Sequence, residues 1–241
     1  MELGYNVKKI NELISSIGSN CKEIKNSMQS GWPEVQNVLQ TEWIGSDEQS
    51  FEQKFAARVI ELWQSIQSNC NIFMQNLQST GESWVKFQAS NVLEGATAAE
   101  GAAAVKYEPI EAGDPDVVLK QVTFTEEMDL GLQSGVGSAE KIATAIKDYI
   151  TTVYNNTKNL FDEMDASTSF IGADQAAAVK KYIEEMGKSF ALVTTCYKDL
   201  GNAMKELIAA YEQQSQAVQT AVGEKAPTID TAGNQWEGFG E

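Results

Sequence analysis

The stretch Trp43-Ile44-Gly45-Ser46-Asp47 separates two long segments of helical periodicity, and Phe170-Ile171-Gly172-Ala173-Asp174 repeats its form 127 residues later. Around the first of these, apolar residues fall at Ile10, Ile14, Ile17, Cys21, Ile24, Met28, Trp32, Val35 and Leu39 on one side, and at Phe51, Phe55, Leu62, Ile66, Phe73, Leu77 and Trp84 on the other. Steps of three and four over such lengths describe one stripe along each of two helices. A connection this short forces them antiparallel, so residues 5 to 90 are predicted to form a helical hairpin. Pro33 lies inside the first stripe and predicts a kink or short break there. Ser46 and Gln49 have capping-box spacing at the start of the second helix.

The second half repeats the arrangement. From Ser138, read as an N-cap, a stripe runs through Ile142, Ile146, Tyr149, Val153, Leu160 and Met164. Beyond the second punctuation mark come Val179, Ile183, Met186, Phe190, Val193, Tyr197, Leu200, Met204, Leu207 and Tyr211, the most regular heptad in the chain. At the fixed offset Trp43 meets Phe170, Gly45 meets Gly172, and Phe55, Trp63 and Trp84 meet Tyr182, Phe190 and Tyr211, whereas Phe51 meets Ala178. This is an imperfect internal duplication. The domain reading is therefore a first hairpin at 1–92, an Ala/Gly/Pro linker at 93–121, a second hairpin at 122–222 and a flexible tail at 223–241. The fold class is all-α.

Physical need explains the punctuation. A chain reversing between two helices wants a residue free to take positive φ, supplied by Gly45 and Gly172. The aromatic two positions earlier, Trp43 or Phe170, can fold over the end of the hairpin.

Composition narrows the function classes. The 241 residues carry 34 acidic against 18 basic side chains, a net charge of −16, and no segment concentrates Lys or Arg. Nucleic acid and an anionic membrane surface are therefore poor candidate partners, and neither is expected. No apolar run approaches the length of a bilayer crossing, and the first 20 residues contain no apolar signal core, so neither stable membrane insertion nor a cleaved leader is expected. Histidine is absent, which removes the usual general base and metal ligand. No pair of acids is seen interrupting an apolar face in the manner of a buried site, and there is no Gly-rich phosphate loop. The expectation is a protein that is not an enzyme and takes no cofactor or metal. Of the three cysteines, Cys21 and Cys70 lie 23 residues before and 26 after Ile44, so a hairpin could bring them together. Whether they bond is not written in the sequence.

A hairpin with arms of about 40 residues, roughly 60 Å at helical rise, with Trp-x-Gly at its bend, resembles the WXG family of small proteins exported by type VII secretion, the early secretory antigenic target type. Residues 5 to 111 are similar to one family unit, with Trp43 and Gly45 on the motif positions. Residues 118 to 222 look like a second, with Phe170 in place of the tryptophan, and Val122-Thr123-Phe124-Thr125-Glu126-Glu127 is similar to the start of many members. Family members pair as antiparallel hairpins, and many carry Tyr-x-x-x-Asp/Glu beyond the second helix. Tyr107-Glu108-Pro109-Ile110-Glu111 has that spacing, which makes Tyr107 and Glu111 a candidate export signal.

An isolated hairpin exposes its whole stripe, and two hairpins on one chain can cover each other. The resemblance thus implies an elongated four-helix bundle, an intramolecular pseudo-dimer or a self-associating chain. It implies a type VII secretion substrate, or an export partner or chaperone for a larger effector, with the secretion machinery and such an effector as partners. Localisation would be secreted or at the cell surface after synthesis in the cytoplasm. The alternative is a non-secreted cytosolic or particle-bound helical scaffold.

Overall fold

Each apolar stripe becomes one helix in the computed structural model, which describes residues 7–90, 105–110, 113–119 and 131–222. Helix α1 spans Val7–Glu42, α2 Ser46–Ser90, α3 Val136–Ser167 and α4 Ala173–Val222. Two short strands, β1 at Trp43–Ile44 and β2 at Gly131–Leu132, pair antiparallel with Trp43 opposite Leu132 and Ile44 opposite Gly131. The protein is predominantly helical, with little strand among the described residues. None of its described helices is long and apolar enough to cross a membrane.

Most residues of the predicted stripes are buried, Ile183 being half-buried, while the side chains of Trp84 and Tyr211 lie outside the described residues. All nine stripe positions of α1 are at most 6 % exposed, and so are all six of α3. In α2 the stripe is wider than its predicted residues, since Val59, Trp63, Cys70 and Met74 are buried as well, while Phe51 is only half-buried. In α4 the regular heptad holds from Met186 to Met204 and then shifts, with Ile208 buried and Leu207 half-buried. A straight helix drifts against a strict seven-residue repeat, and one residue of slip after several turns is the expected correction.

Contacts divide the chain into two compact units, each drawing a segment from all four helices. Unit 1 comprises residues 1–26, 62–114 and 154–189, and unit 2 comprises 27–61, 115–153 and 190–241.

Three local expectations are corrected. Helix α1 continues through Pro33 without a break. Helix α3 begins two residues before Ser138, with the Gly135 carbonyl accepting from Ala139 N at 3.2 Å. Ser138 sits within the first turn, where its hydroxyl accepts from Ser134 N at 2.9 Å and so reaches back to cap the helix. Helix α2 likewise has Gly45 rather than Ser46 as the residue before its first turn, the Gly45 carbonyl accepting from Gln49 N at 3.5 Å.

The heart of unit 2 is an aromatic cluster. Trp32 stacks near Phe55 with ring centroids 6.0 Å apart, and Tyr149 meets both edge-on at 6.2 and 5.9 Å. Such pairs add to the energy of burial itself. The Tyr149 hydroxyl donates to the Met28 carbonyl at 3.1 Å, which brings its ring against the backbone of α1. Gly31 makes that approach possible: a Cβ there would lie 2.7 Å from Tyr149 Cδ2.

The glycines of α1 should therefore respond oppositely to the same change. At Gly18 a Cβ would meet nothing within 4 Å, so Gly18→Ala is expected to stabilise by up to about 1 kcal/mol through helix propensity. Gly31→Ala has the same intrinsic gain but drives a methyl into a ring held by two aromatic neighbours and a hydrogen bond. A net loss of about 1–3 kcal/mol is expected. Urea unfolding of both variants checks the sign of each.

Candidate functional site: the two bends and the docked linker

The two bends share a backbone device and differ in everything built on it. Gly45 and Gly172 each supply the carbonyl that accepts the first hydrogen bond of the following helix, from Gln49 N at 3.5 Å and from Ala176 N at 2.9 Å. These donors are separated by the same offset as the glycines. Gly172 has φ 93°, a conformation glycine adopts cheaply, whereas Gly45 is close to extended at 156°.

The first bend, in unit 2, leaves α1 as strand β1. Gln133 N donates to the Glu42 carbonyl at 3.0 Å, continuing the pairing of β1 with β2. The Glu42 carboxylate accepts from Ser138 Oγ at 2.7 Å and from Lys141 Nζ at 2.5 Å, tying the end of α1 to the start of α3. The hydrogen bond from Lys141, then that from Ser138, holds the Glu42 carboxyl below the ordinary glutamate range. Strand alternation turns Trp43 inward, 4 % exposed, and leaves Ile44 half-buried. The indole meets Phe51 at 6.0 Å, and Phe51 stacks on Phe55 at 5.7 Å, so Trp43 is the outer member of the aromatic cluster.

The second bend, in unit 1, leaves α3 through three successive turns, with Thr168, Ser169 and Phe170 N bonding back to Asp165, Ala166 and Ser167 carbonyls at 3.1, 3.4 and 3.0 Å. This tighter winding reverses the burial. Ile171 is 2 % exposed and Phe170 half-buried, with the Lys9 ammonium 5.7 Å from its ring centroid. The sequence alignment of Trp43 with Phe170 therefore does not extend to their side chains.

Between α2 and α3, residues 105–110 and 113–119 run without helix or strand and are held by side chains of α1 and α2. In unit 1, Asn71 grips both backbone polar groups of one residue: its Oδ1 accepts from Ile110 N at 2.9 Å and its Nδ2 donates to the Ile110 carbonyl at 3.4 Å. Gln67 Nε2 donates to the same carbonyl at 3.4 Å, Trp63 Nε1 to the Gly113 carbonyl at 2.8 Å, and Gln64 Nε2 to Asp114 Oδ1 at 3.0 Å. Asn11 Oδ1 accepts from Lys106 N at 2.9 Å. In unit 2, Trp32 Nε1 and Gln36 Nε2 both donate to the Val118 carbonyl, at 3.1 and 2.7 Å, and Val117 is buried. The linker was legible only as a composition change. Its grip comes from amides and indoles beside the apolar stripes, at positions 63, 67 and 71 on one face of α2.

Tyr107 lies in this docked segment, half-buried, with desolvation raising its phenol above the ordinary tyrosine value. Glu111, the Val122 to Glu127 stretch and the tail lie outside the described residues. Tyr107, Phe170 and Gly172 belong to unit 1, and Trp43 and Gly45 to unit 2. Lys9 over Phe170 and Asn11 on Lys106 place the second bend and the Tyr107 segment both against the first turns of α1.

The expectation that no acid pair is buried is overturned on α2. Glu48 is 0 % and Glu52 2 % exposed, one helical turn apart. Glu52 accepts from Gln36 Nε2 at 2.6 Å, the same amide nitrogen that holds Val118. With both carboxylates ionised, neither Glu48 oxygen has a hydrogen-bond partner. A proton on Glu48 makes it a donor to Glu52. Burial first, and the Glu52 charge and hydrogen bond next, push the Glu48 carboxyl from the ordinary 4.5 up to about 8. The pair escaped the sequence reading because Phe51 and Phe55 dominate that face, and Glu48 reads as a first-turn acid and Glu52 as a solvated one a turn later.

Compared with protein-family models, curated proteins and solved structures, the chain matches none.

Two predictions follow from the bends and the acid pair. Trp43→Ala empties a buried site beside Phe51 and is expected to cost about 3–5 kcal/mol, whereas Phe170→Ala is expected to cost about 1 kcal/mol, the scale of an exposed cation–ring contact. Chemical denaturation of both variants distinguishes them. For Glu48, the folded chain binds its proton more tightly than the unfolded chain. Its contribution is therefore fully present below pH 4.5, declines as pH rises and is lost through pH 8. Glu48→Gln keeps the donor to Glu52 without the titration, and is expected to flatten that decline and to stabilise by on the order of 2 kcal/mol at pH 7. Melting temperatures from pH 4 to 9 read out both slopes.

Proposed function

We propose that this chain is a tandem WXG-like protein whose two hairpins pair antiparallel as a fused four-helix bundle, and that it works by binding, as a type VII secretion substrate or as an export partner of a larger effector. One observation carries the reading: each bend lies against the start of the other hairpin. In unit 2 the Glu42–Trp43 bend pairs with residues 131–133 and holds Ser138 and Lys141 at the start of α3. In unit 1 Phe170 lies under Lys9 near the start of α1. Antiparallel pairing of two hairpins requires this reciprocity.

The same reading assigns different tasks to the two motif elements. Trp43 is buried, so its role is to close the bend. Tyr107 is accessible and sits on a segment of fixed backbone, so it is the side chain that export machinery could read. Glu111 would complete that element.

Expression in a host with a type VII system tests this directly. Tyr107→Ala and Glu111→Ala are expected to leave helicity and melting temperature nearly unchanged while at least tenfold less protein reaches the supernatant by immunoblot. The wild-type chain is expected to stay inside the cells when the secretion ATPase is deleted. Wild-type protein absent from the supernatant of the intact host would favour the intracellular scaffold. Unchanged export of both variants would remove Tyr107 and Glu111 as a signal.

A further inference from the structure

We propose that the seam between α1 and α2 in unit 1 is a binding site for an extended acidic peptide of a partner protein, and that the chain's own residues 105–110 and 113–114 occupy it as a built-in stand-in for that ligand. Every side chain of the site belongs to unit 1. On α2, Trp63, Gln67 and Asn71 fall one turn apart along a single face, with Gln64 beside them. On α1, Asn11 Oδ1 accepts from Lys106 N at 2.9 Å, and Lys25 Nζ lies where a Cβ on Gly113 would meet it at 3.2 Å.

The contacts are ordered. From Lys106 to Gly113 the partners on α1 advance from Asn11 to Lys25, and from Ile110 to Gly113 and Asp114 those on α2 recede from Asn71 to Trp63 and Gln64. The occupant thus runs parallel to α1 and antiparallel to α2. The bonds fall on the carbonyls of Ile110 and Gly113 and on the N–H groups of Lys106 and Ile110, with the Asp114 carboxylate on Gln64 as the side-chain contact. Val105 is buried, whereas Lys106, Glu108, Pro109, Gly113 and Asp114 are exposed. Grooves that bind drawn-out, proline-containing peptides in trans use the same means, aromatic and polar side chains that grip an extended main chain. None of these groups distinguishes a tethered occupant from a free one.

The occupant defines the ligand's chemistry. It has an apolar anchor at the Val105 position, a main-chain N–H at the Ile110 position, and glycine followed by an acid at Gly113 and Asp114. Lys25 Nζ is 5.5 Å from the Trp63 ring centroid, which sets its ammonium beside that glycine. The segment itself carries Glu108, Glu111 and Asp114 against Lys106 alone, so charge favours an acidic chain. Because the stand-in is tethered, its effective concentration is high, and a partner segment must displace it to enter.

The inference does not rest on export and is tested on the purified full-length chain. The probe is a fluorescein-labelled peptide with the sequence of residues 104–115, followed by anisotropy. Val105→Asp combined with Ile110→Pro removes the anchor and one donor from the tethered segment and leaves every helix residue in place. That variant is expected to bind the probe about tenfold or more tightly than the wild-type chain, whose own segment competes. Adding Asn71→Ala or Trp63→Phe should weaken binding by about tenfold, the scale of one lost hydrogen bond, and Ile110→Pro within the probe should do the same. Circular dichroism checks that each receptor keeps its helicity; should the double variant lose it, Ile110→Pro alone serves as the receptor, with a smaller gain over wild type expected. No saturable binding to a helical released variant, or undiminished binding after Asn71→Ala and Trp63→Phe, would overturn the proposal and leave the export reading untouched.

Discussion

Each helix carries an apolar stripe along nearly its whole length, and the rest of the structure depends on burying it. From Ile10 to Leu39, α1 repeats an apolar residue every three or four positions, and every one is withdrawn from solvent. At about 25 cal/mol per Å² of apolar surface, leaving such a stripe in water would cost far more than a hydrophilic helix surface recovers. Helix propensity is secondary: α1 runs through Gly31 and Pro33 because packing overrides the local preference for a break. Gly31 shows how the override works, since removing the side chain admits the Tyr149 ring against the backbone.

That burial also decides where polar groups can act. Once the stripes are closed, the amides and indoles along their borders become fixed donors with known direction. Asn71, Gln67, Trp63, Trp32 and Gln36 spend theirs on the backbone of residues 110–118. Most of these contacts read carbonyl oxygens rather than side chains, so the segment is positioned largely by its main chain, with the buried side chains of Val105 and Val117 and the Asp114 carboxylate on Gln64 adding to its hold.

The helices and their core were legible because period and burial are the same physical signal: side chains three or four apart share a face. The bends were legible in position for a related reason, as glycine is cheap where a chain reverses. Their construction was not. Trp43 turns inward because two residues of strand intervene between α1 and Gly45, and Phe170 stays at the surface because three tight turns intervene before Gly172. Nothing in an aromatic-Ile-Gly pattern chooses between strand and turn; the choice depends on whether a partner such as residues 131–132 lies alongside. The docked linker and the Glu48–Glu52 pair were hidden similarly. Glutamine, asparagine and glutamate on a helix read as solvent-facing until the chain that covers them is placed.

The two bends therefore carry different chemistry on one backbone plan. At the first, Glu42 is ionised and satisfied by Ser138 and Lys141, and a few residues on, Glu48 is buried beside a like charge with no cation contributing to its field. At the second, the polar work is done by Gln175 on Thr80 and Asn76 on Tyr182, neutral pairs with no comparable stake in pH. At the offset of 127 residues, position 175 answers Glu48 and is a half-buried glutamine, an uncharged side chain where the first bend has an acid. The proton at Glu48 is thus a property of the first bend alone, and because Gln36 joins Glu52 to the Val118 carbonyl, its loss would be felt first where the linker docks.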